Sequence, residues 1–275
     1  MNATLTISLL ASYMLVIYSD SVSANYLYEQ CGLMREEFST SLGPWTALLH
    51  TDGSIFCAGT LITDVFILTA ASCIRPNAVK VRLGEFGRYP NELPEDHLVH
   101  YFLMYRLFNN ESLANNIGLL KLTKRVQITD YIMPVCIVLN PQNQQLSTMR
   151  FIGNAWMEDS NVSLTKELRP IVIQSKPKMC TNLDLYTQFC AGHQGNLRSC
   201  DGLTGSALIQ NSRYMNKYRH IQFGIATVND MDCEESQGYT DVLKFYWWIQ
   251  DVVSLFNHYS TNESYIVNDY IKKNF

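Results

Sequence analysis

Residues 56–73 read Phe56-Cys57-Ala58-Gly59-Thr60-Leu61-Ile62-Thr63-Asp64-Val65-Phe66-Ile67-Leu68-Thr69-Ala70-Ala71-Ser72-Cys73. At their centre, residues 60–68 form a short apolar run rich in β-branched and aromatic side chains, the composition of a strand. Working outward, similar runs recur at residues 45–49, 79–83, 117–122, 151–156, 171–174, 206–210 and 221–228. Each is bounded by Gly, Pro, Asn or Asp, as in Thr51-Asp52-Gly53, and these residues punctuate strands with turns. From Pro44 to about Asp241 no segment holds a sustained helical period. Many short strands at close spacing imply antiparallel β-barrels or sandwiches.

Only the end of this region differs. Val242, Phe245, Ile249, Val252 and Phe256 recur at three- and four-residue steps, which places them on one helical face. Thr240 or Asp241 precedes them and supplies a side-chain oxygen for a free backbone N–H of the first turn. The spacing predicts one amphipathic helix over residues 242–256, packed on a β body. Residues 257–275 are polar and aromatic without a period and read as a flexible C-terminal tail.

The chain has 275 residues, 47% of them hydrophobic, enough for a sizeable core. Its formal net charge is -4, and its lysines and arginines form no run. That excludes nucleic acid as a main partner, because phosphate binding needs a clustered basic surface. A polybasic membrane anchor is excluded on the same ground. Residues 4–18 are apolar and uncharged, and Val22-Ser23-Ala24 supplies small residues where a signal peptidase cuts. The stretch is shorter than the ~20 residues that span a bilayer. Residues 1–24 are therefore read as a signal peptide in preference to an anchor, with Asn25 the first mature residue. The reading is of a secreted, extracellular protein.

Eight cysteines follow: Cys31, Cys57, Cys73, Cys136, Cys180, Cys190, Cys200 and Cys233. An even set in an exported chain reads as a disulfide framework. Zinc is disfavoured because no two cysteines stand at knuckle spacing. Counting alone assigns no pairing. Asn110, Asn161 and Asn262 open glycosylation sequons, in agreement with export.

Several segments then converge. Residues 56–62 and 67–73 closely resemble the first half of a chymotrypsin-like, trypsin-type serine protease. Asn115-Asn116-Ile117-Gly118-Leu119-Leu120-Lys121-Leu122 is similar to the segment that bears that family's catalytic Asp. Cys200-Asp201-Gly202-Leu203-Thr204-Gly205-Ser206-Ala207-Leu208 resembles the segment that bears its nucleophile. Gly238-Tyr239-Thr240-Asp241-Val242 and the helix around Trp248-Ile249 resemble its C-terminal end. The match runs from Cys31 to Phe256 in the family's order and has the flavour of arthropod serine protease homologues, with no clip module ahead of Cys31. The resemblance implies an all-β fold of two six-stranded antiparallel barrels with a C-terminal α-helix, spanning residues 44–256. It also implies an N-terminal stub, residues 25–43, tied down through Cys31. The implied disulfides are Cys31–Cys136, Cys57–Cys73, Cys180–Cys190 and Cys200–Cys233, which leaves no cysteine as a nucleophile.

Acyl transfer in this family needs a hydroxyl to attack, an imidazole to take its proton and a buried carboxylate to fix the imidazole. On the resemblance, Ser72 stands at the imidazole position, Asn116 at the carboxylate position and Thr204 at the nucleophile position. A serine hydroxyl has no basicity near neutral pH, and an amide carries no charge. A threonine hydroxyl attacks only with a base beside it. None of His50, His97, His100, His193, His220 and His258 lies in a segment that reaches the triad in relatives. Gly202 and Thr204 are the oxyanion-hole positions. Between them, active relatives carry an Asp that pairs with a newly cut N-terminal ammonium, and here the residue is Leu203. The start expected after the cut is also absent, since the chain reads Arg35-Glu36-Glu37-Phe38-Ser39.

Arg198, followed by Ser199, stands at the position that sets side-chain preference, and Asn229 in Thr227-Val228-Asn229 replaces a pocket-wall glycine. Arg198 either selects an acidic group or fills an unused pocket. Glu85 and Glu95 flank a loop that holds calcium in some relatives. A solvated acidic loop is the preferred reading, so no cofactor is expected. The function read from all this is a secreted, catalytically inactive protease homologue. It binds extracellular proteases, their substrates or their inhibitors and regulates a protease cascade. The alternative is an endopeptidase of weak or unusual activity using Thr204. A third reading, a structural or adhesive protein, has no positive sign in the sequence.

Overall fold

Asp52 and Gly53 take φ of 48° and 86°, the two successive left-handed residues of a two-residue hairpin turn. They join β1 (Thr46–Thr51) to β2 (Ser54–Leu61), with Thr51 directly opposite Ser54. The apolar run 60–68 divides into two strands. The Thr63 hydroxyl accepts the Val65 and Phe66 N–H groups at 3.2 and 3.1 Å, a local side-chain turn that ends β2 and starts β3 (Phe66–Thr69). In the computed structural model the described residues are 26–33, 42–75, 79–85, 93–141, 146, 149–158, 166–176, 180, 183–193, 200–201, 203–214, 217–227 and 236–258. The signal-peptide reading and the tail beyond His258 lie outside them.

Two closed antiparallel barrels result. The first adds β4 (Lys80–Leu83), β5 (Glu95–Met104) and β6 (Gly118–Leu122) and closes in the order β1-β2-β3-β6-β5-β4. The second is built from β7 (Arg150–Glu158), β8 (Lys166–Ser175), β9 (Gln188–His193), β11 (Ala207–Tyr214), β12 (Lys217–Ala226) and β13 (Gln237–Asp241). Its ring runs β7-β11-β12-β13-β9-β8 and closes where β8 pairs β7 along all of β7, from Arg150–Gln174 to Glu158–Lys166. The two-residue β10 (Cys200–Asp201) hydrogen-bonds to the far end of β7. Closure removes open sheet edges, so the apolar interior of each ring is shielded on every side.

Phe66, Leu68, Leu83 and Leu119 are fully buried in the core that fills the first barrel. Phe151, Ile173, Leu208 and Phe223 fill the second. The helix α1 (Tyr246–His258) comes from the end of the chain but packs on the first barrel. Trp248, Ile249, Val252 and Val253 join the same core as Phe66. Tyr105 on the first barrel meets Phe245 and Trp248 edge-on, at ring centroids 5.0 and 5.5 Å apart. The helix therefore clasps the first barrel to the last strand of the second.

The single helix expected over residues 242–256 is two elements. Asp241 caps a separate 3-10 turn, Val242–Lys244, by accepting the Leu243 N–H at 3.0 Å. Phe245, with φ -116° and ψ 8°, leaves helical geometry to bury its ring against Tyr105, and α1 starts only at Tyr246.

The Cys31–Cys136, Cys57–Cys73 and Cys180–Cys190 bonds are formed. Cys233 lies outside the described residues. The first bond ties residues 26–33 to the inter-barrel segment, where Gly32 N–H donates to the Pro134 carbonyl at 2.7 Å. Bonds that close 16- and 105-residue loops restrict the unfolded chain by about 3 and 5 kcal/mol respectively. No helix among the described residues is long and apolar enough to cross a membrane.

Candidate functional site

Ser72 and Asn116 come from distant parts of the chain and hydrogen-bond to each other, and the Thr204 carbonyl lies 3.4 Å from Sγ of Cys73, the residue after Ser72. Ser72 sits in the 3-10 turn Ala71–Cys73 that follows β3, a turn fixed at its end by the Cys57–Cys73 bond. Asn116 opens the approach to β6. The residue before it, Asn115, takes a left-handed φ of 56° and is pinned by donating its side-chain N–H to the Leu107 carbonyl at 3.0 Å. Asparagine tolerates that conformation better than most residues.

Asn116 is fully buried, and each of its polar side-chain atoms has a partner. Its Oδ1 accepts the Ser72 backbone N–H at 2.9 Å. Its Nδ2 donates to the Ser72 hydroxyl at 3.1 Å and faces the Thr227 carbonyl at 3.4 Å. Its backbone carbonyl accepts the Thr240 hydroxyl at 3.0 Å. Asn116 thus spans the two barrels, with Ser72 on one side and Thr227 and Thr240 on the other. The pocket needs one acceptor and one two-fold donor, which is a description of an amide. We expect Asn116→Asp to lower stability by about 2 kcal/mol, because a carboxylate oxygen would face the Thr227 carbonyl in a dry site. Urea unfolding at neutral pH checks this, and an unchanged midpoint would refute it.

Thr204 is buried in the tight turn 203–206. Its carbonyl accepts the Ala58 N–H of β2 at 2.8 Å, and Gly205 N–H donates to the Ala226 carbonyl of β12 at 2.8 Å. The Ala226 N–H returns a bond to the Ser206 carbonyl at 2.9 Å. Gly205 takes a φ of 86°, and a Cβ there would run into the Ala58 carbonyl oxygen and lie 2.5 Å from the Thr69 hydroxyl. Ala58 is one residue from Cys57, and Thr69 ends the strand that leads to Ser72, so the turn is seated directly against the Ser72 region.

All six histidines have other placements. His50, on β1, accepts the Gly53 N–H at Nδ1 and lies 3.1 Å from Asp96 through Nε2. The Arg82 guanidinium, hydrogen-bonded to Asp96 at 2.8 Å, and His50 hold that carboxyl below its ordinary range. His97 pairs with Glu95 at 3.2 Å, and the His100 ring lies tilted against that of Tyr101, centroids 4.3 Å apart. His193 is buried at the end of β9 with neither ring nitrogen bonded. His220 faces the Gly32 carbonyl at 3.2 Å, and burial pushes its imidazole down. His258 closes α1.

Gly202, Arg198, Asn229, Asn161 and Asn262 lie outside the described residues. Asn110 is exposed in the loop ahead of Asn116. Glu95 stands in the β4–β5 pairing opposite Leu83, which is two residues before Glu85, and residues 86–92 between the two glutamates lie outside the described residues. Among the described residues no three His, Cys, Asp or Glu side chains group to hold a metal.

Sequence reasoning missed the carbonyl of Thr227 and the hydroxyl of Thr240 as partners of Asn116. It also missed Gln237, buried beside Gly238, whose amide donates to the Tyr239 hydroxyl at 2.8 Å. These partners are more than 100 residues from Asn116, and no local pattern marks them.

A family model described as Trypsin matches residues 34–249. A curated relative, "Serine protease grass" of Drosophila melanogaster, is 26% identical over 257 residues, covering 79% of this chain and 66% of that protein. This chain therefore spans just under two thirds of that relative's length. With both barrels closed, the late helix clasped to the first of them and the family model matched from the N-terminal region into α1, the chain belongs to the trypsin family.

Proposed function

We propose that this chain is a secreted trypsin-family protein that has given up peptide hydrolysis and works by binding. The observation that carries the proposal is the Asn116–Ser72 pair. Where the family's chemistry needs a carboxylate holding an imidazole, a buried amide donates to a hydroxyl. Neither group takes a proton from Thr204 near neutral pH. Five of the six histidines are engaged or buried in other parts of the fold, His258 is exposed at the end of α1, and the missing base is the step on which acyl transfer depends. Loss of the serine or histidine of a triad lowers turnover by ~10⁶ in a comparable enzyme. Leu203, Arg198 and Asn229 add changes at the oxyanion hole and at the pocket. The formed disulfides fit an oxidising, extracellular setting.

The partners proposed are extracellular proteases, their substrates or their inhibitors, in the regulatory manner of arthropod protease homologues. A preserved barrel scaffold with altered chemistry keeps the shape by which such partners recognise one another. The test is incubation of the purified, full-length chain with a fluorophosphonate and with an activated ester. The expected result is no covalent adduct and ester loss at the solvent rate, identical in Thr204→Ala. An adduct that disappears in Thr204→Ala would establish the endopeptidase alternative instead.

A further inference from the structure

Residues 107–115 form a surface loop whose ends are clamped together. Asn115 Nδ2 donates to the Leu107 carbonyl at 3.0 Å, and the Asn109 N–H donates to the Ala114 carbonyl at 3.1 Å. At the tip, Asn109 Oδ1 accepts the Glu111 and Ser112 N–H groups at 2.9 and 3.0 Å, which fixes a turn. Asn110, Glu111 and Ser112 are all exposed on that turn, and together they form the sequon Asn-x-Ser. The Asn110 side chain takes no part in the bonds that hold the turn. On its other side the loop rests on a rim of the second barrel, residues 184–188. Leu113 holds a left-handed φ of 54°, unusual for a bulky side chain, and its carbonyl accepts the Gln188 amide at 3.0 Å. The Asn115 N–H donates to the Thr187 hydroxyl at 3.3 Å. The Asp184 carboxylate accepts the Tyr186 N–H at 3.1 Å and the Thr187 hydroxyl at 2.8 Å. Leu185 and Tyr186, 77% and 87% exposed, therefore stand on a rim that is bonded to the loop.

We propose that Asn110 carries an N-linked glycan, and that this glycan screens the rim beside Asn116 against folded proteins. Asn110 is three residues from Leu113, so it stands no more than about 10 Å from the backbone bonded to the rim. An N-linked oligosaccharide is bulky and well solvated. Fixed on a clamped loop, it occupies the space in front of Leu107, Leu185 and Tyr186, the exposed apolar residues of loop and rim. The modification joins the Asn110 amide nitrogen to the anomeric carbon of an oligosaccharide carried on a lipid diphosphate. The bond from that carbon to the diphosphate breaks, the diphosphate leaves with the electron pair, and the amide nitrogen gives up a proton. The inference deepens the proposed binding role and rests on the export it includes, not on the loss of catalysis. Its consequence is directional: a partner's folded body approaches Ser72 and Asn116 from a side other than this rim.

The full-length chain, expressed in a eukaryotic cell line and recovered from the medium, tests both parts. Its peptides are treated with a peptide N-glycosidase in heavy-oxygen water, which turns each occupied asparagine into an aspartate bearing heavy oxygen. Asn110 should be so marked. The folded protein is then exposed to trypsin, a folded probe, and cutting after the exposed Arg106 at the foot of the loop is followed by mass spectrometry. Asn110→Gln should be cut roughly tenfold faster than wild type or more, because the screen is gone. Ser112→Thr keeps both the sequon and the hydroxyl and should be cut at the wild-type rate. Secreted protein with Asn110 unmarked would overturn the site. Equal rates for wild type and Asn110→Gln, including no cut in either, would overturn the screen. A chain retained inside the cell would sink the export reading and this inference with it, whereas fluorophosphonate uptake at Thr204 would sink only the non-catalytic reading.

Discussion

Gly205→Ala should lower stability by about 2–6 kcal/mol. Two effects add. The residue holds a φ of 86°, where a side chain costs roughly 1–3 kcal/mol of backbone strain. The new methyl would also meet the Ala58 carbonyl and the Thr69 hydroxyl, and overpacking of that kind costs about 1–3 kcal/mol more. Relief is blocked because the neighbouring backbone is bonded to both barrels. Gly53→Ala is the control. Gly53 has the same φ of 86°, but a Cβ there meets nothing within 4 Å, so only the strain applies. Chemical denaturation with disulfides intact should show Gly205→Ala losing clearly more stability than Gly53→Ala. Equal losses would mean that the turn 203–206 yields freely.

Asp241→Asn should stabilise the protein at pH 7.5, by on the order of 3 kcal/mol. Asp241 is buried at the end of β13, and burial raises its pKa to about 6 from the ordinary 3.8, against the opposing pull of the Leu243 N–H and Lys244. A raised pKa means that the folded protein holds the proton more tightly than the unfolded chain. The associated stability is fully present below 3.8 and is lost as pH rises through 6. The gap between the two values corresponds to about 3 kcal/mol at 1.36 kcal/mol per unit. Asparagine keeps the oxygen that accepts the Leu243 N–H and removes the buried charge. Urea midpoints for wild type and Asp241→Asn should therefore nearly coincide at pH 4 and separate at pH 7.5, with the variant the more stable. A separation that stays constant with pH would exclude a buried ionised Asp241 as the cause.

Local chemistry made the first turn legible. Asp52-Gly53 marks a turn after the run 45–49, and the structure makes it a two-residue hairpin whose second strand starts at Ser54, ahead of the apolar run at 60–68. β5 was hidden because Glu95, Asp96, His97 and His100 interrupt its apolar residues, and half of the strand faces solvent or ion-pairs with its neighbours. β13 was hidden for the opposite reason. Its five residues, Gln237–Asp241, are all buried and show no alternation to detect. The helix boundary was misplaced because Asp241 satisfies a capping signal while serving a different turn.

Ser72, Asn116 and Thr204 were identifiable because each lies in a segment similar to the family's own. What holds them was not. Thr227 and Thr240 reach Asn116 across 111 and 124 residues, through a carbonyl and a hydroxyl whose directions only the closed second barrel sets. Leu203 likewise clusters with Leu48 and Ala58, residues about 150 apart from it, and nothing near Leu203 in sequence announces that apolar seat.

The helix α1 gives the molecule an order of assembly. The core of the first barrel includes Phe245, Trp248, Ile249, Val252 and Val253, which a ribosome makes more than 120 residues after β6 is finished. While the chain is being synthesised, the N-terminal half has its strands but lacks one wall of its interior. Contacts of such long range are closed late and slowly. The first half to emerge is therefore among the last to be sealed, and a nascent chain must be sheltered until α1 arrives.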